Sequence, residues 1–282
     1  MIPIDCQIAT FACIYFTSLW LKRFFTCTAC DVAREAVEVS PRVKNFKASD
    51  KVVAYLSISN GGGFAEFAVA NESLTVARPP EVSAPEGAGL PVAGLIALQA
   101  LTQAAGLRLN GRGPLKNILI TAASGGVGRY AVQLAKLGNT HSLGADEVLD
   151  YKAPEGSALK SPSGKKYDFV VHCTRAFPWS VFEPNLSECG KVIDITPGIS
   201  TVTTFALKKL TFSKKQLTPL LLTPKGENLE FLVKLVKEGK LKTVIDLKHP
   251  LSKAEDAWAK SISGHAAKSI SGHATGKIIV EP

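Results

Sequence analysis

Hydrophobic and polar positions change their rhythm along this chain, and the rhythm divides it. Ile8 to Leu21 is a largely apolar run, broken by Thr10, Thr17 and Ser18 and followed by Lys22-Arg23. A membrane-spanning helix takes about 20 apolar residues, and a secretory leader carries its positive charge ahead of the apolar run. The run fits neither pattern and reads as a non-standard N-terminal segment. Glu35 to Val39, Lys51 to Leu56 and Phe64 to Val69 read as short strands, with Gly61-Gly62-Gly63 as a loop before the last. Pro79-Pro80 marks a break. Ala93 to Ala105, apolar all round, predicts a buried helix closed by Gly106.

A strand–helix alternation then begins. Asn117 to Thr121 is a short apolar strand, and Gly125 to Leu137 predicts a helix with Val127, Ala131, Leu134 and Ala135 on one face. Further strands are expected at Asp168 to Cys173, Lys191 to Ile195 and Thr243 to Leu247. Between the last two lies a helix burying Leu229, Leu232, Val233 and Val236 and ended by Gly239. Buried strands alternating with helices predict an α/β fold with a doubly wound parallel sheet. Ser252-x-x-Glu255 has the spacing of a capping box, opening a helix that buries Ala254, Ala257 and Trp258; a strand at Lys277 to Val280 follows. Between them Lys260 to Ala267 is repeated as Lys268 to Thr275. Two short copies are too few for a solenoid. The second copy reads as a surface insertion, which makes His265 and His273 poor metal ligands.

Composition adds little to this and excludes some classes. The chain has 282 residues, 46% hydrophobic and 20% charged, enough for a sizeable core and unlike a disordered composition. The net charge is +9. Between Phe205 and Pro250 ten lysines face four acids, which reads first as solvated helix faces and second as a basic surface for anionic lipid. No aromatic interleaving accompanies these lysines, which disfavours nucleic acid as a partner. Cys6, Cys13, Cys27, Cys30, Cys173 and Cys189 form no disulfide framework, and Cys27-x-x-Cys30 lacks the second pair that a structural zinc requires.

The candidate chemistry lies in Thr121-Ala122-Ala123-Ser124-Gly125-Gly126-Val127-Gly128. The Ala122-x-x-Gly125-x-x-Gly128 spacing puts small residues at a tight strand-to-helix turn. There a pyrophosphate can approach the backbone and meet the free N–H groups of a helix N-terminus. This segment with Ala131-Val132-Gln133-Leu134-Ala135-Lys136 resembles the quinone oxidoreductase (zeta-crystallin-like) branch of the medium-chain dehydrogenase/reductase superfamily. Phe46-Lys47-x-x-Asp50, Gly63 to Phe67, Leu90 to Gly94, Leu143 to Val148 and Thr275 to Ile279 fall in the family's order. The resemblance covers residues 31–282 and is most specific over 85–282.

The resemblance implies a Rossmann-type domain at 85–248 and a partial GroES-like β domain at 31–84, to which residues 249–282 return. Residues 1–30 have no counterpart in it. It further implies hydride transfer from NADPH to a quinone or an α,β-unsaturated carbonyl, without zinc and without a catalytic side chain, since the nicotinamide carries the chemistry. Ala122, Ser124, Gly125, Gly126, Val127 and Gly128 would hold the pyrophosphate, and Tyr151 would lie beside the adenosine phosphate. Cys173, Thr174, Thr196, Pro197 and Gly198 follow strands at the carboxyl ends where ligands sit in open α/β sheets. A location at the chloroplast envelope, peripheral membrane contact through the lysine-rich stretch and a homodimer complete the implied picture, with a cytoplasmic location as the alternative.

Three departures from the family pattern qualify it. The long family segment before residue 31 is replaced. Between Leu137 and Leu143 only five residues remain where a strand and a helix should stand, so one strand–helix unit is missing, and Asp146 is not the ribose-binding acid. Ile96 stands where the family has a threonine, and Arg34, Ser40 and Ser49 stand where it has turn glycines, which predicts backbone strain. These losses predict weak or absent NADPH binding, unless a partner chain or a rearranged segment restores the site. They leave open a second reading, a catalytically impaired member acting as a binding or membrane-surface protein.

Overall fold

The computed structural model describes residues 2–5, 8–10, 29–57, 62–138, 146–266 and 276–281. The apolar run beyond Thr10, Cys27, residues 139–145, and the second copy of the duplication with His273 lie outside the described residues.

The chain opens with strands β1 (Ile2–Asp5), β2 (Ile8–Thr10), β3 (Asp31–Glu35), β4 (Lys51–Tyr55), β5 (Phe67–Ala70) and β6 (Thr75–Ala77), then helices α1 (Ala84–Ala88) and α2 (Pro91–Gln99). The α/β part follows as β7 (Ile118–Ile120), α3 (Gly126–Leu137), α4 (Pro154–Ser157), β8 (Tyr167–His172), α5 (Trp179–Phe182), β9 (Leu186–Asp194), α6 (Ile199–Leu210) and β10 (Gln216–Pro219). Last come α7 (Gly226–Lys237), β11 (Ile245–Pro250), α8 (Ala254–Ala266) and β12 (Lys277–Glu281). Two compact units result: Met1–Leu95 with Ser124–Tyr130 and Thr223–Pro282, and Ile96–Ala123 with Ala131–Leu222.

The first unit is built on a six-stranded sheet, ordered β11-β12-β2-β3-β4-β6, with β1 and β5 as a separate antiparallel pair. Only β11 and β12 run parallel within the larger sheet. Val32, Val52, Ala54, Ile278 and Val280 form its core, closed by Ala257 from α8. A buried ion pair crosses it. Lys277 Nζ lies 3.0 Å from Asp31 Oδ2, with both side chains 1% exposed. The second carboxylate oxygen of Asp31 accepts the backbone N–H of Val92 at 2.8 Å. That N–H is one of the donors that the start of a helix leaves without an intrahelical partner.

The second unit holds a four-stranded sheet in the order β10-β9-β8-β7, parallel throughout. Tyr167, Val170, Leu186, Val192 and Leu217 pack with Leu159 and Phe182 on it. The α/β, Rossmann-type class expected from the sequence is what the structure shows. Among the described residues no strand pairs with the outer edge of β7. In a Rossmann sheet of order 3-2-1-4-5-6 the third strand pairs only with the second. Residues 147–150, which would form that third strand, are accordingly not in a strand, and Val148 is 84% exposed.

Several expectations shift. The strand expected at Glu35 to Val39 lies earlier, at Asp31–Glu35, because Val32 and Ala33 are the residues the core buries. Thr243 to Leu247 is found as β11, paired with β12 in the six-stranded sheet and not with the parallel sheet of the second unit. An apolar strand does not announce which sheet it joins. The helix expected over Ala93 to Ala105 runs from Pro91, turns π-helical at Ala100–Ala104 and is closed by Gly106 at φ +71°. Ser252 does not cap α8; it lies inside a 3-10 turn, Leu251–Lys253, that precedes the helix. A capping box is formed instead by Ser83 with Glu86, at the start of α1. Of the three substituted turn positions only Ser49 takes a left-handed conformation, φ +71°; Arg34 sits in extended β3.

Candidate functional site

The turn from β7 into α3 has the conformation its small residues predict. Ala122 holds φ +49°, a region that costs a residue with a Cβ roughly 1–2 kcal/mol. It occupies the first position of the small-residue spacing, where the tight turn is needed. Ala122, Ala123 and Ser124 are exposed, Gly125 and Val127 half-buried, and Gly126 and Gly128 buried. The helix that follows has 12 residues and no acid in its first turn, so nothing on the helix offsets the partial positive charge at its N-terminus. Arg129 folds back over the turn: its backbone N–H donates to Gly125 O at 3.0 Å and its Nε to Ser124 O at 2.9 Å. These features suit a pyrophosphate.

The carboxyl edge of the parallel sheet carries a buried polar cluster that sequence reasoning missed. Parallel register sets His172, the last residue of β8, beside Asp194, the last of β9. Thr121, just past β7, brings its hydroxyl to 3.1 Å from His172 Nδ1 and accepts the Cys173 backbone N–H at 2.9 Å. The His172 ring packs edge-on against Phe182, with centroids 4.7 Å apart. Burial lowers the His172 imidazole to about 4, against the opposing pull of Asp194. It is therefore neutral at physiological pH. Burial, reinforced by Asp194, pushes the Cys173 thiol up to about 12, so its sulfur is a thiol and not a thiolate.

Asp194 organises the loop that follows it. One carboxylate oxygen accepts the Thr196 N–H at 2.9 Å; the other accepts the Thr201 hydroxyl at 2.6 Å. The Thr196 hydroxyl is shared between Asp194 and the Thr174 carbonyl, at 3.3 and 3.5 Å. Cys173 and Thr174, and Thr196, Pro197 and Gly198, thus end adjacent strands, and the structure brings these five expected residues together. The only sequence signal for the cluster was a polar residue ending each of two apolar strands.

Tyr151 lies in a turn, half-buried, with Lys152 Nζ 5.9 Å from its ring centre. Ile96 is the one residue of α2 that is not buried. A surface groove of about 630 Å³ in the first unit, lined by Ser83, Glu86, Lys242 and Lys248 among others, contains none of the expected site residues. Among the described residues no three His, Cys, Asp or Glu side chains are grouped to hold a metal ion, and no helix is long and apolar enough to cross a membrane. Of the ten lysines between Phe205 and Pro250, six lie in ion pairs with glutamates.

Comparison with known proteins gives three kinds of match. Residues 143–280 match a family model described as zinc-binding dehydrogenase. The chain is 69% identical over 278 residues to the chloroplast envelope quinone oxidoreductase homolog of Arabidopsis thaliana, covering 93% of this chain and 82% of that one. It is 28% identical over 284 residues to an NADPH-dependent alkenal/one oxidoreductase, chloroplastic, of the same plant, covering 91% and 64%. A solved quinone oxidoreductase from Coxiella burnetii superposes with a TM-score of 0.82 at 25% identity, over 100% of this chain and 90% of that one.

Proposed function

Since the chain belongs to the quinone oxidoreductase branch of the medium-chain dehydrogenase/reductase superfamily, and so to the nicotinamide-dependent oxidoreductases, we propose that it transfers hydride from NADPH to a quinone or an α,β-unsaturated carbonyl, without a metal. The observation that carries this reading is the β7–α3 turn, with Ala122 held left-handed and Gly126 and Gly128 buried behind it. A bound nicotinamide would supply the hydride. The protein's part is to hold and orient it. Backbone N–H groups from Ser124 to Gly128 would hold the pyrophosphate, and the Arg129 guanidinium, held by Ser124 O, would add positive charge beside them. Tyr151 takes the adenosine side. Cys173, Thr174, Thr196, Pro197 and Gly198 serve as the ligand-facing ends of β8 and β9, with Asp194 fixing the second loop. Neutral His172 and un-ionised Cys173 keep that edge free of extra charge.

The names of the plant relatives support a location at the chloroplast envelope. Peripheral contact with an anionic membrane surface through the lysine-rich stretch is proposed on charge alone, and the six ion pairs there reduce the charge available to it. A homodimer is proposed through β10, an outer strand of its sheet, and the adjoining α6. That helix leaves Leu207 and Leu210 exposed, and Phe212 just beyond its end is 92% exposed.

Titration of the purified protein with NADPH, followed by nicotinamide fluorescence, tests the reading. Saturable binding, weakened about tenfold or more by Arg129→Ala, is expected, that being the scale of one hydrogen bond to a charged group. A folded protein that binds no nicotinamide nucleotide points instead to the impaired-member reading, in which the architecture persists as a binding surface.

A further inference from the structure

We propose that Thr121 is the positioning residue of the pyrophosphate turn. Its hydroxyl takes the place of its own carbonyl at the end of the parallel ladder, and so lets the chain leave β7 in the left-handed conformation the turn requires. The inference rests on the dinucleotide-binding reading above and assigns, within it, the side chain that sets the shape of the turn.

The pairing of β7 with β8 carries the argument. Register sets Ile118, Leu119 and Ile120 beside Phe169, Val170 and Val171. One step further, the Thr121 N–H still donates to Val171 O, at 3.1 Å. In a continuing parallel ladder the carbonyl of the same residue would accept the N–H of Cys173 in return. The Cys173 N–H goes instead to Thr121 Oγ1, at 2.9 Å. The last rung is thus closed by a side chain. The peptide that bears the Thr121 carbonyl is shared with Ala122, whose φ of +49° is far from the value of about −120° in a parallel strand.

The surroundings hold the hydroxyl to this task. Thr121 is 5% exposed, so its bonds are shielded from water. A hydroxyl has one proton and two lone pairs. While one lone pair accepts from Cys173, the proton is directed to His172 Nδ1, 3.1 Å away, whose neutral ring accepts it. The first position of the dinucleotide fingerprint normally carries a glycine, which adopts positive φ without strain. Here Ala122 stands at that position, and alanine has no preference for the left-handed region. The hydroxyl before it supplies what the absent glycine does not. An isosteric valine at 121 would leave the Cys173 N–H without its acceptor, an unmade bond relieved most simply by turning the 121–122 peptide back into the strand. That movement takes Ala122 out of the turn.

The test compares Thr121→Val, Thr121→Ser and the double variant Thr121→Val/Ala122→Gly in the full chain, with circular dichroism to establish that each is folded. Titration with NADPH, followed by nicotinamide fluorescence, should show Thr121→Val binding about tenfold or more weakly than wild type, the scale of one hydrogen bond. Thr121→Ser keeps the hydroxyl and should bind within about threefold of wild type. Adding Ala122→Gly to Thr121→Val should recover most of the affinity, because glycine holds the turn unaided; a merely structural role for Thr121 would give no such rescue. Without ligand, amide exchange at Cys173 should be faster in Thr121→Val than in wild type or Thr121→Ser, relative to the neighbouring amides of β8. A folded valine variant that binds like wild type, a serine variant as weak as the valine one, or no rescue by Ala122→Gly overturns the inference and leaves the dinucleotide-binding reading intact. If folded wild type binds no dinucleotide, that reading falls, and the exchange measurement decides the hydroxyl's part alone: unchanged exchange at Cys173 in the valine variant overturns it too.

Discussion

Lowering the pH from about 7.5 to about 5 should cost this protein about 2 kcal/mol of stability through His172 alone. The ring is buried and lowered from 6.5 to about 4, while in the unfolded chain it keeps the ordinary value. As pH falls, the unfolded chain takes up its proton near pH 6.5 and the native ring only near 4. Between those values the unfolded state binds more protons, so stability falls with acidification. At about 1.4 kcal/mol per pH unit the full gap amounts to about 3 kcal/mol, of which about 2 is lost by pH 5. The ionisable group acting on the ring is Asp194, whose pull opposes the shift. Other carboxylates contribute their own slope, so the comparison must be with a variant that keeps them. His172→Gln retains a polar side chain toward Thr121 and removes the titration. Urea unfolding monitored by circular dichroism at the two pH values should show wild type losing about 2 kcal/mol more than the variant. Parallel losses in the two proteins would refute the placement of a neutral imidazole inside the sheet edge.

Two further predictions concern packing. Lys277→Met leaves Asp31 charged and buried without its cation, and should destabilise by roughly 3–5 kcal/mol in thermal unfolding. Adding Asp31→Asn, which removes the charge and keeps an acceptor for Val92 N–H, should restore most of the loss; a double variant as unstable as the single one would contradict the assignment of the cost to an unpaired charge. Phe212 holds φ +49° just beyond the end of α6, with its N–H bonded to Lys209 O and that of Ser213 to Lys208 O, an arrangement that favours glycine. Phe212→Gly should therefore raise the unfolding free energy by about 1 kcal/mol, read as a higher midpoint, while lowering the dimer fraction in light scattering; a lower midpoint at dilutions where only monomer is present would count against the backbone reading.

The sequence made the glycine turn and α3 legible because spacing and helical periodicity agree there, to within one residue at the helix start. It made the shortage of chain after Gly138 legible by simple counting. Sheet membership was not legible: β11 reads like any apolar strand, and only its pairing with β12 assigns it. The His172–Asp194 cluster was hidden for a related reason. Its members are 22 residues apart in an apolar background, and only the parallel register of β8 and β9 brings them together. Ser252 and Ser83 both precede a glutamate by three residues. Local spacing alone could not tell which of them stands at a helix start and which lies within a turn already formed.

The Asp31–Lys277 pair has a consequence for how the protein is made. The two residues are 246 positions apart, and β12 fits between β11 and β2, so a strand from the far end of the chain completes the interior of a sheet whose other members begin near residue 8. At about 5–20 residues per second, a ribosome takes roughly 10–50 s to travel from one partner of the ion pair to the other. The strands of the parallel sheet all lie between Ile118 and Pro219 and can associate as they emerge. Throughout that interval the first unit presents an unpaired β2 edge and an uncompensated carboxylate, the kind of surface that holdase chaperones occupy. Nascent chains of this protein should thus depend on such help in proportion to the time the last strand takes to arrive.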